Sequence, residues 1–219
     1  MTGNSGNYKT ELTMKKTLIT VILLTFCAVV RLDAQFVKFS IGVEGSGTVS
    51  SFLIKSEQIQ TSLPVGLGGY GGAFLEVRFG NILGLDLGTD YSYLTSGYMI
   101  GELPVTVSQE YIQIPVMLQL WMGRSVAFEA GIRQSVLLKA VYSEGKDGYR
   151  NESDGGAAKY FLSAAAGFKF NLGKVVFLSL GGTYGLSQAY NFYGEGKPLV
   201  TGHIGVGFRI YSYQKSAFK

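Results

Sequence analysis

The residues able to do chemistry are few, and their spacing argues against most of it. His203 is the sole histidine, so a histidine-built metal cluster is excluded. As a general base it would need a hydroxyl nucleophile and an orienting carboxylate. Ser46 and Glu44 become its candidates if the segments around them pair with the one around His203. The reading that asks for least is a hydrogen-bonded interior imidazole. Cys27 is the sole cysteine and lies in an apolar run near the N-terminus. A lipid-acceptor cysteine takes a small residue before it, and here Phe26 precedes. The run Gly66-Leu67-Gly68-Gly69-Tyr70-Gly71-Gly72 superficially resembles a phosphate loop. It lacks both the Lys-Ser/Thr ending and a following helix. Its glycines suit the relief of crowding in a small, strongly curved sheet. Between Glu144 and Gly156, Asp147, Glu152 and Asp154 offer oxygen ligands without the spacing of a calcium loop, so the segment reads as a solvated cap. No catalytic residue, cofactor or metal is expected.

The elements that must position these residues are long alternating runs. Tyr111 to Met122 places Ile112, Ile114, Val116, Leu118, Leu120 and Met122 on one face. Tyr111, Gln113, Pro115, Met117, Gln119 and Trp121 lie on the other. Its length suits a tilted strand of ~9–11 residues crossing a bilayer. Seven further runs share the pattern: about Phe36–Val49, Leu67–Phe79, Ile82–Leu94, Val126–Tyr142, Tyr160–Asn171, Val176–Ser187 and His203–Tyr211. Tight connections at Gly80-Asn81, Gly123-Arg124-Ser125 and Gly173-Lys174 alternate with long ones at roughly Ser50–Gly66, Thr95–Gln109, Ser143–Lys159 and Gln188–Thr201. Short turns alternating with long loops are the outer-membrane pattern. The expected fold is all-β: an eight-stranded antiparallel up-and-down transmembrane β-barrel. Pro115 lacks a ladder donor, so a bulge or an unpaired carbonyl is expected beside it.

Alternation alone leaves open a soluble barrel with its apolar face inside. The polar parity decides the matter. It is rich in Gly, Ser and Thr and carries only about a dozen charges, too few for a solvated outer wall. Lys38, Arg78, Arg133, Lys139, Lys169 and Arg209 nearly balance Glu44, Glu76, Asp86, Asp90 and Glu129. Such balance suits a narrow interior where each ion needs a partner. We therefore expect a lumen ion-pair network of Glu44, Glu76, Arg78, Asp86, Asp90, Glu129, Arg133, Lys169 and Arg209, with Arg133 held by a carboxylate. Tyr91, Tyr93, Tyr142, Tyr160 and Tyr184 near run ends fit headgroup girdles, whereas Trp121 falls on the inward parity.

The N-terminus reads as an address. Lys15 and Lys16 precede an apolar run from Leu18 to Val30, and Ala34 offers a small residue before Gln35. Residues 1–34 are expected to be a signal peptide, with Met14 the natural start and 1–13 a non-native extension. Residues 35–219 are then the outer-membrane barrel domain, with no disulfide possible. Cleavage after Ala34 removes Lys9, Lys15, Lys16, Arg31, Glu11 and Asp33, leaving 15 basic against 13 acidic residues. No basic stripe remains for nucleic acid.

Ala34-Gln35, Tyr111-Ile112-Gln113-Ile114-Pro115 and the closing Gly205-Val206-Gly207-Phe208-Arg209 together resemble the PorT-type outer-membrane β-barrel family of Bacteroidetes. The resemblance covers about Phe36 to Tyr213. It departs at the end, where Ser212 to Lys219 follow the last strand with Phe218 penultimate. It implies the outer membrane of a Gram-negative bacterium and an OmpA/OmpX-like barrel, and it transfers no functional residue. The expected partners are outer-membrane lipid, the barrel-assembly machinery and an envelope protein met through the loops. A filled lumen implies a structural or adhesive role, or a part in an envelope machine, exercised through extracellular loops. The alternatives are a narrow channel or small-ligand-binding barrel, and a lipid-modifying enzyme using His203.

Overall fold

The computed structural model describes residues 36–52, 65–100, 103–144, 149–151, 158–192 and 195–216. The expected signal segment with Cys27, the residues Lys55, Glu57, Lys146, Asp147, Glu152 and Asp154 expected in loops, and Phe218 lie outside them. The described residues form strands β1 (Phe36–Phe52), β2 (Gly66–Phe79), β3 (Leu83–Ile100), β4 (Leu103–Met122), β5 (Val126–Glu144), β6 (Tyr149–Asn151), β7 (Tyr160–Asn171), β8 (Val176–Gly185), β9 (Tyr190–Phe192), β10 (Glu195–Lys197) and β11 (Leu199–Ser216).

Eight of these strands close on themselves. β1 pairs with β2, then β3, β4, β5, β7, β8 and β11 follow in order, and β11 returns to β1, all antiparallel. Closure leaves no strand edge exposed to lipid, where an unpaired backbone group would go unsatisfied. The three tight turns reverse through Gly80, Gly123 and Gly173, whose φ values of 61°, 76° and 145° lie in the region glycine favours. β6 extends the β5 edge, and β9 pairs with β10 in a separate small hairpin.

The side-chain period of two sorts the wall. Leu118, Leu120, Ile132, Leu180 and Ile204 face outward, between 46% and 66% exposed. Their strand neighbours Gln119, Arg133 and Ser179 point inward and are buried. Tyr91, Tyr93, Tyr160 and Tyr184 stand exposed toward the loop end, and Tyr211 and Tyr213 toward the turn end. Trp121 is buried inside the wall.

The structure corrects the sequence reading in three places. Thr95–Gln109 is not a long loop, because β3 runs to Ile100 and pairs with β4 as far as Ile100↔Leu103. The alternating Thr, Val and Tyr residues there continue the ladder past the run expected from apolar residues alone. Lys139, expected inward, and Tyr211, which shares the parity of the inward Arg209, are both exposed. In each case a register shift intervenes: Tyr111 pairs with Leu137 and Glu110 with Lys139, passing over Leu138, while Ile41 pairs with Tyr211 and Gly42 with Arg209, passing over Ile210. One extra residue in a strand flips every side chain beyond it to the other face.

Pro115 produces no bulge. Its pairing with Arg133 on β5 is regular, whereas the β3–β4 ladder skips from Leu87↔Val116 to Asp90↔Gln113 without changing register. The missing donor interrupts the ladder and the chain keeps its phase. Gly88 sits across the gap, where a Cβ would come within 2.9 Å of the proline ring.

Candidate functional site

The inward faces of the eight barrel strands converge on Lys169 of β7. Its Nζ lies 2.5 Å from Asp86 Oδ2, 3.0 Å from Glu129 Oε1 and 3.7 Å from Glu76 Oε2. Glu76 also accepts from Arg209, Nε at 3.3 Å and Nη2 at 3.0 Å, a two-pronged pair that fixes the carboxylate plane. Gln119 closes the cluster by presenting its amide to Glu129 at 2.7 Å, Asp86 at 3.2 Å and Glu76 at 3.4 Å. Lys169 and Glu76 are each 2% exposed. Ions so deeply buried hold their charge only when paired and hydrogen-bonded, and every ion here is.

Two aromatic rings complete this plug. Phe74 and Phe177 meet edge to face with centroids 5.3 Å apart, and the Lys169 ammonium lies 4.6 Å from the Phe177 ring and 5.4 Å from that of Phe74. Each phenylalanine is paired across the sheet with a glycine, Gly42 with Phe74 and Gly207 with Phe177. A Cβ on either glycine would collide with the facing ring. The closing Gly-Val-Gly-Phe-Arg strand thus supplies both the space for Phe177 and the Arg209 that clamps Glu76.

Arg133 sits in a separate inward-facing group. Its Nη1 donates to Gln113 Oε1 at 3.2 Å, Gln113 donates in turn to Ser135 Oγ at 3.2 Å, and the guanidinium lies 4.8 Å from the Tyr70 ring. That hydrogen bond goes to an amide, while the attraction between the guanidinium and the Asp90 carboxylate acts without a hydrogen bond. Asp90, 1% exposed, has neither carboxylate oxygen hydrogen-bonded among the described residues. Arg78 lies toward the turns. It stacks 4.1 Å over the Trp121 ring and donates to the carbonyls of Asn81 and Gly123, each at 2.9 Å, and among the described residues no carboxylate hydrogen-bonds it.

A cavity of about 30 Å³ remains beside the plug, lined among others by Glu44, Glu129, Arg133, Ser179 and His203. Its volume suits a water molecule or two and no substrate. His203 pairs with Thr48 across the β1–β11 seam and packs edge-on against Tyr70 at 5.5 Å. The Ser46 hydroxyl donates to the neighbouring Gly47 carbonyl at 3.1 Å.

The structure thus brings Glu76, Asp86, Glu129, Lys169 and Arg209 into one cluster, sets Glu44 on the cavity beside it, and leaves Arg78, Asp90 and Arg133 in other surroundings. Gln119, Gln113, Phe74 and Phe177 belong to the lumen without having been singled out in the sequence. Their inward parity was the available signal, with a glycine facing each phenylalanine.

A family model described as outer membrane protein beta-barrel domain matches residues 33–191. No curated protein matches the chain. Among solved structures, Neisserial surface protein A (NspA) is similar at 14% identity and TM-score 0.51, covering 78% of this chain and 97% of its own. The attachment invasion locus protein Ail of Yersinia pestis, crystallised with the heparin analogue sucrose octasulfate, follows at 14% identity, TM-score 0.45, and 80% and 99% coverage. OprG of Pseudomonas aeruginosa gives 13% identity, TM-score 0.37, and 83% and 97% coverage. At such identities the first of these likenesses speaks for the fold alone.

Proposed function

Because the chain belongs to the outer membrane protein β-barrel domain family and resides in the outer membrane of a Gram-negative bacterium, we propose that it works through what it presents outside the bilayer and not through its lumen. The role is structural or adhesive, or that of a membrane part in a larger envelope machine. The observation that carries this reading is the Lys169 plug, in which three carboxylates, a glutamine and two phenylalanine rings fill the cross-section around one ammonium. An ion crossing it would have to separate buried pairs.

Planar-bilayer recording of the purified barrel tests the reading. No conductance above that of the bare bilayer is expected, and discrete openings would restore the narrow-channel alternative. Crosslinking in intact outer membranes, followed by co-purification, would then identify the protein met through the loops.

Two finer readings belong to the same proposal. The Tyr111–Pro115 element and the glycine-rich closing strand support a PorT-type barrel of Bacteroidetes, assembled by the barrel-assembly machinery. The surroundings of His203 and Ser46 support a non-catalytic lumen, since the imidazole packs on Tyr70 and the hydroxyl is spent on a backbone carbonyl. Unchanged membrane lipid composition in a His203→Ala strain is the expected result. An altered acyl pattern would favour a lipid-modifying enzyme.

A further inference from the structure

Charge is sorted along the barrel axis. At the turn end stand Lys38, Arg78, Arg124, Lys174 and Lys215, and among the described residues no carboxylate lies between them and the Lys169 cluster. Short turns face the periplasm in barrels of this kind, so the cations form a basic periplasmic mouth. Lys38 and Arg78 are directly paired across β1 and β2, both on the inward face. Like charges directly opposite one another repel and destabilise a sheet pair. Arg78 cannot swing away, because the carbonyls of Asn81 and Gly123 and the Trp121 ring hold it. Arg124 and Lys174 stand exposed on two of the neighbouring turns.

We propose that this mouth docks an acidic polypeptide segment presented from the periplasm. Three features select that occupant. Lys38 and Arg78 lie on the inward parity and so away from lipid, Arg78 as a buried fixed charge and Arg124 and Lys174 as exposed ones, and of the strand residues in this group only Lys215 lies on the outward parity. The plug above makes the mouth a dead end, suited to holding a ligand and not to passing one. The cations also come from β1, β2 and two separate turns, a spread that a chain bearing several carboxylates can match and a single small anion cannot. The inference rests on the fold and its orientation and is independent of what the extracellular loops do.

The test uses the full barrel in nanodiscs of uncharged lipid, with a fluorescein-labelled oligoglutamate peptide followed by anisotropy. Saturable binding that weakens with salt is expected, falling roughly tenfold in R124Q/K174Q and further when Lys38→Gln is added. Lys159→Gln, at the opposite end, should leave it unchanged. Absence of binding, or binding indifferent to R124Q/K174Q, overturns the proposal. Both turn substitutions are at exposed positions, and heat-dependent gel migration checks that each variant is folded. A second arm measures phosphatidylglycerol retained by the barrel on purification. Equal retention by wild type and R124Q/K174Q supports a peptide site, whereas selective loss in the variant makes an anionic lipid the occupant and the peptide proposal fails.

Discussion

At the scale of single residues, Lys169 and Arg133 look alike in sequence, each an inward cation on a lumen strand, yet their surroundings differ. Lys169 sets a positive charge beside three carboxylates that Gln119, the other group reaching all three, can meet only with a neutral amide. Lys169→Met leaves Asp86 and Glu129 with Gln119 as their remaining described partner, and stranding buried charge costs on the order of 3–5 kcal/mol. Its denaturant midpoint should therefore fall below that of Arg133→Ala, where an amide hydrogen bond, a ring contact and the attraction on one carboxylate, Asp90, are lost. Exposed Lys159→Ala should stay within about 0.5 kcal/mol of wild type. A larger loss for Arg133→Ala than for Lys169→Met would mean that the centre of the network has been misplaced. On the lipid side, Ile132→Arg should cost ~2–4 kcal/mol near the midplane. A harmless Ile132→Arg would reverse the assignment of faces.

At the scale of elements, phase decides which residues reach the lumen. Passing over Leu138 and Ile210 turns Lys139 and Tyr211 outward and brings Ser212 in, where its hydroxyl donates to Ser40 at 2.9 Å. Pro115 breaks the β3–β4 ladder without disturbing that phase. Pro115→Ala restores an N–H at the gap, and a recovered hydrogen bond is worth about 0.5–1.5 kcal/mol. We expect a higher unfolding midpoint together with slower amide exchange around Gly88 to Asp90. A lower midpoint would show that the proline ring packed over Gly88 contributes more than the missing bond.

At the scale of the molecule, closure of the sheet and its plugged lumen act together. The folded barrel should resist SDS and migrate anomalously until heated, and migration indifferent to heating would argue against closure. In sealed cells, Arg124 and Lys174 on the turns should be protected from trypsin, whereas cleavage at the exposed Lys159 of the opposite end is expected. Cleavage at Arg124 under those conditions would invert the barrel, and with it the direction in which the basic mouth faces.

Strand number, the inward and outward parities and the three glycine turns were legible in the chain because each follows from local rules: a period of two, turn chemistry, and the length needed to cross a bilayer. The identities of the charges that enter the lumen follow from the same parity wherever no register shift intervenes, as one does before Lys139. Which of those charges meet could not be read this way. Asp86, Lys169 and Glu76 come from β3, β7 and β2, and their contact depends on barrel stagger and register, which are set by pairing across the whole sheet. The two register shifts are hidden for a related reason. Nothing in Leu138 or Ile210 distinguishes them from their neighbours, and only the competing registers of the adjacent strands force one residue out of the ladder. The separation of Arg133 from the carboxylate cluster was likewise decided by tertiary structure, because Gln113 and Tyr70 reach it from strands whose relative heights the sequence does not state.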